Sequence, residues 1–277
     1  MDLSAKQALL RDSLRPLGRL LIAYSGGVDS AYLAWEAHHV LGEDMLAVIA
    51  DSPSLARTQL QDALAFAQEH SIPIEVVRTA EMDRQEYVRN DTQRCFHCKD
   101  ELFQVLEEFA AGRGFQSIAY GVNLDDQGDF RPGQSAARQH HIATPLLAAG
   151  LTKADIRELA RQTGLRIWDK PASACLSSRI EYGRPVTLEA LAAVERGEEA
   201  LRSLGFRQVR VRHHGEIARI EIARDEMHRA LTPEMFLEFT RVFKSLGFAF
   251  VTLDTEGFRS GSMNSTKASQ QLIKLIS

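Results

Sequence analysis

Ser25-Gly26-Gly27-Val28-Asp29-Ser30 directly follows an apolar run, Leu20–Tyr24, and opens the amphipathic segment Ala31–Leu41. A buried strand that feeds a double-glycine turn and then a helix start constrains the fold more tightly than any other stretch of this chain. It builds an anion site: the glycines let successive backbone N–H groups converge, and the helix N-terminus adds partial positive charge. Ser25 and Ser30 can add hydroxyl donors, while Asp29 can hold a magnesium ion or cap the helix. The run contains no lysine, so it is not the G-x-x-x-x-G-K-S/T loop of the common NTPases. An ordinary Gly-Gly turn with a serine cap is the plain alternative, and the strand before and the helix after disfavour it.

The strand–helix alternation continues. Leu20–Tyr24, Met45–Ala50, Ile74–Val77 and Ser117–Tyr120 read as short buried strands, with helical patterns at Ala31–Leu41, Leu55–His70 and Lys99–Ala111 between them. Repeated β-α-β order predicts an α/β fold, a parallel sheet with helices on both faces. Ligands of such sheets bind at the carboxyl ends of the strands, where Ser25–Ser30 falls. Asp51 and Ser52 end the next strand and can approach the nucleoside half of the same ligand, or simply cap the helix from Leu55. A further helix spans Thr152–Thr163. After Trp168 the pattern changes, and a loop rich in Ser, Pro and Arg, Lys170–Gly183, carries the expected domain boundary. The reading is therefore a nucleotide domain over 1–170 and a smaller α+β domain over 171–277. The second has the order αββαβ: Thr187–Leu204, Gln208–His213, Glu216–Ile222, Pro233–Leu246 and Phe248–Leu253.

Charge and hydropathy narrow the partners. At 277 residues, 44% hydrophobic and 25% charged, the chain has the balance of a soluble globular protein. Its net charge is −4 with no basic run, which argues against a long nucleic-acid surface. No apolar run approaches the roughly 20 residues that span a bilayer, and the amphipathic Met1–Arg11 does not read as a signal peptide. The expected compartment is the cytoplasm, with no membrane partner.

In a reducing compartment the three cysteines point to chemistry rather than to a disulfide framework. Cys95 and Cys98 form a C-x-x-C pair where a helix begins, and Cys175 lies in the loop after the α/β domain. Three thiolates admit four readings: a 4Fe-4S cluster with one iron open to an exogenous ligand, a structural zinc completed by a histidine such as His97, a reactive Cys175 with the pair as redox partner, or three unrelated half-buried thiols.

In Val209-Arg210-Val211-Arg212 strand alternation puts both arginines on one face and both valines on the other. The following strand sorts Ala218, Ile220 and Ile222 from Arg219 and Glu221 in the same way. A sheet presenting Arg210, Arg212, Arg219 and Glu221 together suits a phosphate or carboxylate ligand, or is a solvated charged face. Glu198 falls at heptad spacing on the apolar stripe of Leu191, Val194 and Leu201, so it needs a partner, most simply one of these arginines. Arg259 stands in a glycine-flanked turn, Gly257–Gly261. Asp129–Gly133 is a further loop with a paired acid and base.

The pattern SGGxDS after a buried strand resembles the PP-loop of ATP pyrophosphatases, which grip the pyrophosphate of ATP while a substrate oxygen is joined to AMP. Together with Arg131–Gly133, Ala172–Gly183 (ASACLSSRIEYG), Val209–Glu221 (VRVRHHGEIARIE) and Val251–Asn264 (VTLDTEGFRSGSMN), the chain resembles, over essentially its whole length, the LarE-type ATP-dependent sulfur transferases of nickel-pincer nucleotide cofactor synthesis. That resemblance implies ATP and Mg2+ as cofactors and a pyridinium dicarboxylate mononucleotide as substrate. One carboxylate is adenylated, and a sulfur nucleophile then displaces AMP to leave a thiocarboxylate. It also implies that Ser178, Arg179, Glu198, Arg210, Arg212 and Glu221 match the phosphate and substrate site, and it suggests a homo-oligomer. Members that sacrifice their own cysteine carry it one place earlier, where this chain has Ala174 followed by Cys175. A three-cysteine branch instead holds a 4Fe-4S cluster charged by a sulfide source, and this chain is similar to that branch, with Cys95, Cys98 and Cys175 as ligands.

Three other functions compete. A PP-loop tRNA thiolase requires tight, salt-dependent tRNA binding, and an amide-forming ligase requires an ammonia source and no cysteine chemistry. A nucleotide-sensing module with structural zinc binds ATP without releasing pyrophosphate.

Overall fold

The computed structural model describes residues 1–128, 132–171 and 174–259. The expectations placed on Asp129–Arg131, on Ala172 and Ser173, and on Ser260–Asn264 lie outside the described residues. The chain divides into two units, Met1–Tyr87 with Thr92–Ser173, and Val88–Asp91 with the chain from Ala174 onward.

In chain order the first unit carries α1 (Leu3–Leu14), β1 (Leu20–Ala23), α2 (Val28–Leu41), β2 (Met45–Asp51), α3 (Arg57–Glu69), β3 (Ile74–Arg78), α4 (Gln85–Val88), α5 (Arg94–Arg113), β4 (Ser117–Tyr120), α6 (Pro132–Gln139), α7 (Pro145–Ala148) and α8 (Lys153–Gln162). The strands pair in parallel in the order β3-β2-β1-β4. All four residues of β1 are buried because the pleat sends alternate side chains into two cores. Leu20 and Ile22 pack with residues of α1, α2, α3 and α8, whereas Leu21 and Ala23 pack with Phe103, Leu106 and Ala110 of α5 and Ala136 and Ala137 of α6. The fold is thus α/β with helices on both faces, as the alternation predicts. The expected helix at Leu55 begins two residues later, at Arg57. Ser52 turns the chain first, accepting the Ser54 N–H on its hydroxyl (3.0 Å) and the Leu55 N–H on its carbonyl (2.9 Å).

The second unit carries α9 (Leu188–Ser203), β5 (Val209–His214), β6 (Ile217–Ile222), α10 (Met227–Ala230), α11 (Pro233–Ser245) and β7 (Phe250–Leu253). β5 and β6 form an antiparallel hairpin, and β7 returns parallel to β6 after α10 and α11. Val209, Val211, Ala218, Ile220 and Ile222 pack against Leu201, Phe239 and Phe243 on one side of this sheet. Thr187 and Thr232 cap α9 and α11, accepting from Ala190 N–H and Met235 N–H. Nothing in the sequence pattern sets Val88–Asp91 apart, yet backbone bonds from Val186 to Val88 (2.8 Å) and from Gly183 to Asn90 (3.1 Å) tie it here. The buried Asn90 amide also donates to the carbonyls of Glu181 and Arg184. Among the described residues no helix is long and apolar enough to cross a membrane.

Candidate active site

The glycine loop lies at the carboxyl end of β1. Tyr24 extends the sheet by one bond to Val48 O (2.9 Å) and donates its phenol to Ala63 O of α3 (3.0 Å). Gly26 then takes φ +68°, and a Cβ there would lie 2.5 Å from Ala63 Cβ, so no larger residue fits without displacing α3. Gly27 is the N-cap of α2 without a side-chain cap, which leaves the first N–H groups of the helix for a ligand. Ser30 is buried and braces the loop from behind, accepting Ser25 N–H (3.1 Å) and lying 3.0 Å from Ser25 Oγ. Gly121, just past β4, presses against the same helix start, where a Cβ would meet Ser30 N at 2.7 Å.

A cavity of about 440 Å³ opens on this loop, lined by Ser25, Gly27 and Asp29, by Asn123, Asp125 and Asp126, and by Lys153 and Lys170. Asp29 Oδ2 accepts from Lys153 Nζ at 2.6 Å, and the buried carboxyl also has the Asn123 amide as a hydrogen-bonding neighbour. Burial pushes the Asp29 carboxyl above its ordinary value; the Lys153 charge opposes this and Asp126 adds to it. Lys170 donates to Gly26 O (3.2 Å) and supports the turn. Three carboxylates against two ammonium groups leave the lining net acidic, which suits a polyphosphate that arrives with a divalent cation, and the Asp29 carboxylate is a fitting oxygen donor for Mg2+. Asp51 and Ser52 are engaged at the end of β2. Asp51 pairs with Arg57, and the Ser52 hydroxyl donates to the buried Glu81, whose Oε2 has no partner.

Cys95 and Cys98 fall one turn apart at the start of α5, Cys95 exposed and Cys98 half-buried. That spacing gives both thiols one helix face, and the helix N-terminus favours the thiolate. Cys175 belongs to the second unit and precedes a short turn, Leu176–Arg179, with its Sγ 3.1 Å from Ser177 Oγ. Three thiols match an iron–sulfur cluster in donor type. Among the described residues no group of three or more His, Cys, Asp and Glu side chains is arranged to hold a metal ion.

The polar face of the second sheet is a buried ion-pair network rather than a solvated surface. Arg179, 1% exposed, donates from Nε to Glu198 Oε1 (2.9 Å) and from Nη1 to the carbonyls of Ala174 (2.6 Å) and Cys175 (2.9 Å). The partner expected for Glu198 was a strand arginine; it is instead Arg179 from the cysteine turn, with Arg202 one turn along α9 (3.0 Å). Arg212 forms a two-pronged pair with the fully buried Glu221 (3.0 and 2.9 Å) and donates to Ser178 O, while Ser178 Oγ donates to Cys175 O (2.7 Å). Arg219 reaches Glu221 and Asp254, and Arg259 pairs with Asp254 and Glu256. Arg210 lies over the Phe258 ring at 5.0 Å. Burial and the neighbouring cations Arg179, Arg212 and Arg202 push it down to about 10, against the pull of Glu198. A guanidinium crowded by other cations is a strong site for an anionic ligand.

The structure therefore brings Ser25, Gly27 and Asp29 into one cavity, and Cys175, Ser178, Arg179, Glu198, Arg212 and Glu221 into one network beside Arg210. Lys153, Lys170, Asn123, Asp125 and Asp126 were not singled out in the sequence; Lys153 carried only the signal of standing at a capped helix start.

No family model matches the chain. It is 42% identical over 262 residues to an uncharacterized protein of Synechocystis sp., covering 95% of this chain and 98% of the relative. It is 36% identical over 276 residues, 98% of each chain, to the pyridinium-3,5-bisthiocarboxylic acid mononucleotide synthase of Lactiplantibacillus plantarum. A partial similarity, 27% over 173 residues, links 53% of this chain to 32% of the glutamine-hydrolyzing GMP synthase of Nostoc sp.. With the glycine loop in place and identity to such a synthase running from end to end, the chain belongs to the LarE family of the PP-loop superfamily.

Proposed function

We propose that this protein is an ATP-dependent sulfur transferase that converts a carboxylate of a pyridinium dicarboxylate mononucleotide to a thiocarboxylate for nickel-pincer nucleotide synthesis, working as a cytoplasmic homo-oligomer. The observation that carries this reading is the glycine-loop cavity at the start of α2, with Lys153 and Lys170 in its lining, in a chain 36% identical to a pyridinium-3,5-bisthiocarboxylic acid mononucleotide synthase.

In the proposed reaction the polyphosphate of ATP lies on the N–H groups that open α2, with Ser25 beside them and Asp51 and Ser52 toward the nucleoside. Mg2+ held through Asp29 would neutralise charge on the departing pyrophosphate. The substrate carboxylate oxygen bonds to the α-phosphorus and the bond to pyrophosphate breaks. Sulfur then bonds to the acyl carbon and AMP leaves with the carboxylate oxygen. Arg210, with Arg179 and Arg212 beside it, holds the anionic substrate together with Arg259, and the Glu198 and Glu221 carboxylates fix the guanidinium planes of Arg179 and Arg212. A 4Fe-4S cluster on Cys95, Cys98 and Cys175 would supply labile sulfide on the iron that has no protein thiolate.

The test is pyrophosphate release. AMP and pyrophosphate are expected in equal amounts only when the carboxylated pyridinium nucleotide is present. Release without an acceptor, or with tRNA in its place, overturns the reading. Gly26→Val gives a second check: the left-handed backbone costs a residue with a Cβ about 1–2 kcal/mol, and the overlap with Ala63 adds to that. ATP affinity in calorimetry is expected to fall at least about tenfold while the far-UV spectrum is unchanged.

A further inference from the structure

Phe258 reaches the polar face of the second sheet because of the glycine before it. Gly257 takes φ +72°, and a Cβ there would lie 2.8 Å from the Ile222 carbonyl oxygen, so the chain can turn tightly against the end of β6. Two backbone bonds fix the turn: Gly257 N–H donates to Asp254 O (3.0 Å) and Phe258 N–H to Ile222 O (2.8 Å). Ile222 pairs with Val209, the residue before Arg210, so the ring arrives beside β5 with its centroid 5.0 Å from the Arg210 guanidinium carbon. Arg210 Nη1 also donates to the Val209 carbonyl at 2.8 Å.

The neighbouring arginines are held in another way. Arg179 is bound to Glu198 (2.9 Å), Arg212 and Arg219 to Glu221 (2.9 and 3.2 Å), and Arg259 to Asp254 (3.4 Å). A carboxylate orients a guanidinium but cancels its charge. An aromatic face attracts the cation through its quadrupole and adds no negative charge. We propose that Phe258 is a positioning residue for the substrate: its ring holds the Arg210 guanidinium in place and leaves that positive charge for a carboxylate or phosphate of the pyridinium nucleotide. This rests on the substrate reading above. The surroundings of Arg210 agree with it, since the cations Arg179, Arg212 and Arg202 press on it against the pull of Glu198. Partial removal from water strengthens such a contact, and Arg210 and Phe258 are both half-buried.

Calorimetry of the pyridinium dicarboxylate mononucleotide on the full chain tests the assignment. Replacing Phe258 by mono-, di- and trifluorophenylalanine keeps the shape of the ring and drains electron density from its face step by step. Affinity is expected to fall with each added fluorine, by about tenfold across the series. A ring that only fills space predicts no such trend. Phe258→Leu is expected to weaken binding about tenfold, and Phe258→Tyr to keep most of the wild-type affinity. In an Arg210→Met background Phe258→Leu should cost nothing further, because the cation that the ring serves is gone. Equal affinity across the fluorinated series, wild-type affinity in Phe258→Leu, or additive losses in the double variant overturns the assignment and leaves the substrate reading standing. A wild-type protein that binds none of the nucleotide removes that reading, and this one with it.

Discussion

Replacing Glu198 with alanine is expected to destabilise the second unit by about 3–5 kcal/mol, the cost of stranding a buried charge whose partner is removed. Glu198 is 2% exposed and accepts from Arg179, from Arg202 and, at 3.3 Å, from Val211 N–H of β5. Its loss leaves Arg179 with carbonyl and hydroxyl acceptors but no counter-charge. Burial works to raise the Glu198 carboxyl, and Arg179, Arg210 and Arg202 overcome it, so the group sits below its ordinary value. A depressed folded-state value fixes the sign of the pH effect. The stabilisation is fully present above the unfolded carboxylate range and is lost as pH falls through the lower folded value. Urea titrations of wild type and variant should therefore differ most at neutral pH and converge in acid. Glu198→Gln, which keeps acceptor geometry without the charge, should fall between them. A variant as stable as the wild type at pH 7 would show that Glu198 is not the anchor of this network.

The same substitution reaches Cys175. Arg179 holds Glu198 with one edge and the carbonyls of Ala174 and Cys175 with another, so the acid on α9 fixes the turn that aims the thiol. Arg212 repeats the device from β5, pairing with Glu221 and donating to Ser178 O. Two buried carboxylates thus orient two arginines, and both arginines converge on the cysteine turn. Burial of charge here contributes position more than stability, since a pair of this kind rarely outweighs an apolar packing of equal volume.

How far the sequence exposed this arrangement depended on period and neighbourhood. β1 with its glycine loop was legible because a buried strand, a left-handed turn and a helix start leave adjacent signatures. The inward valines and outward arginines of β5 were legible because the period of two admits one sorting. Glu198 announced itself as a charge on an apolar stripe, but its partner did not. Arg179 lies nineteen residues upstream in an irregular turn, and loop geometry carries no periodic signal. Lys153 and Lys170 escaped for the same reason: each reaches the loop from 124 and 144 residues away in sequence, by side-chain length alone. Ser30 could be placed in the loop but not on its inner side, where its hydroxyl is spent on the turn itself.

Protein purified without oxygen is expected to contain about four irons and a matching amount of acid-labile sulfide per chain. Cys95→Ser, Cys98→Ser and Cys175→Ser are each expected to lose that iron, because a cluster already one thiolate short has no protein ligand to spare. Chemistry and placement both motivate this expectation. Cys95 and Cys98 share a face at a helix N-terminus, where the thiolate is favoured and one thiol is exposed to an incoming metal. Cys175 sits in a turn held by Arg179 and Ser178, an economical way to present one sulfur in a fixed direction. Position 174 is alanine, so a protein-derived sulfur in this turn would have to come from Cys175 itself. Turnover separates the two chemistries. With sulfide supplied, a cluster-bearing protein should form many products per chain, whereas a chain that surrenders Cys175 stops at one. Stoichiometric zinc without iron, or iron that survives Cys175→Ser, would overturn the three-thiolate cluster and return Cys175 to the role of a consumed sulfur donor.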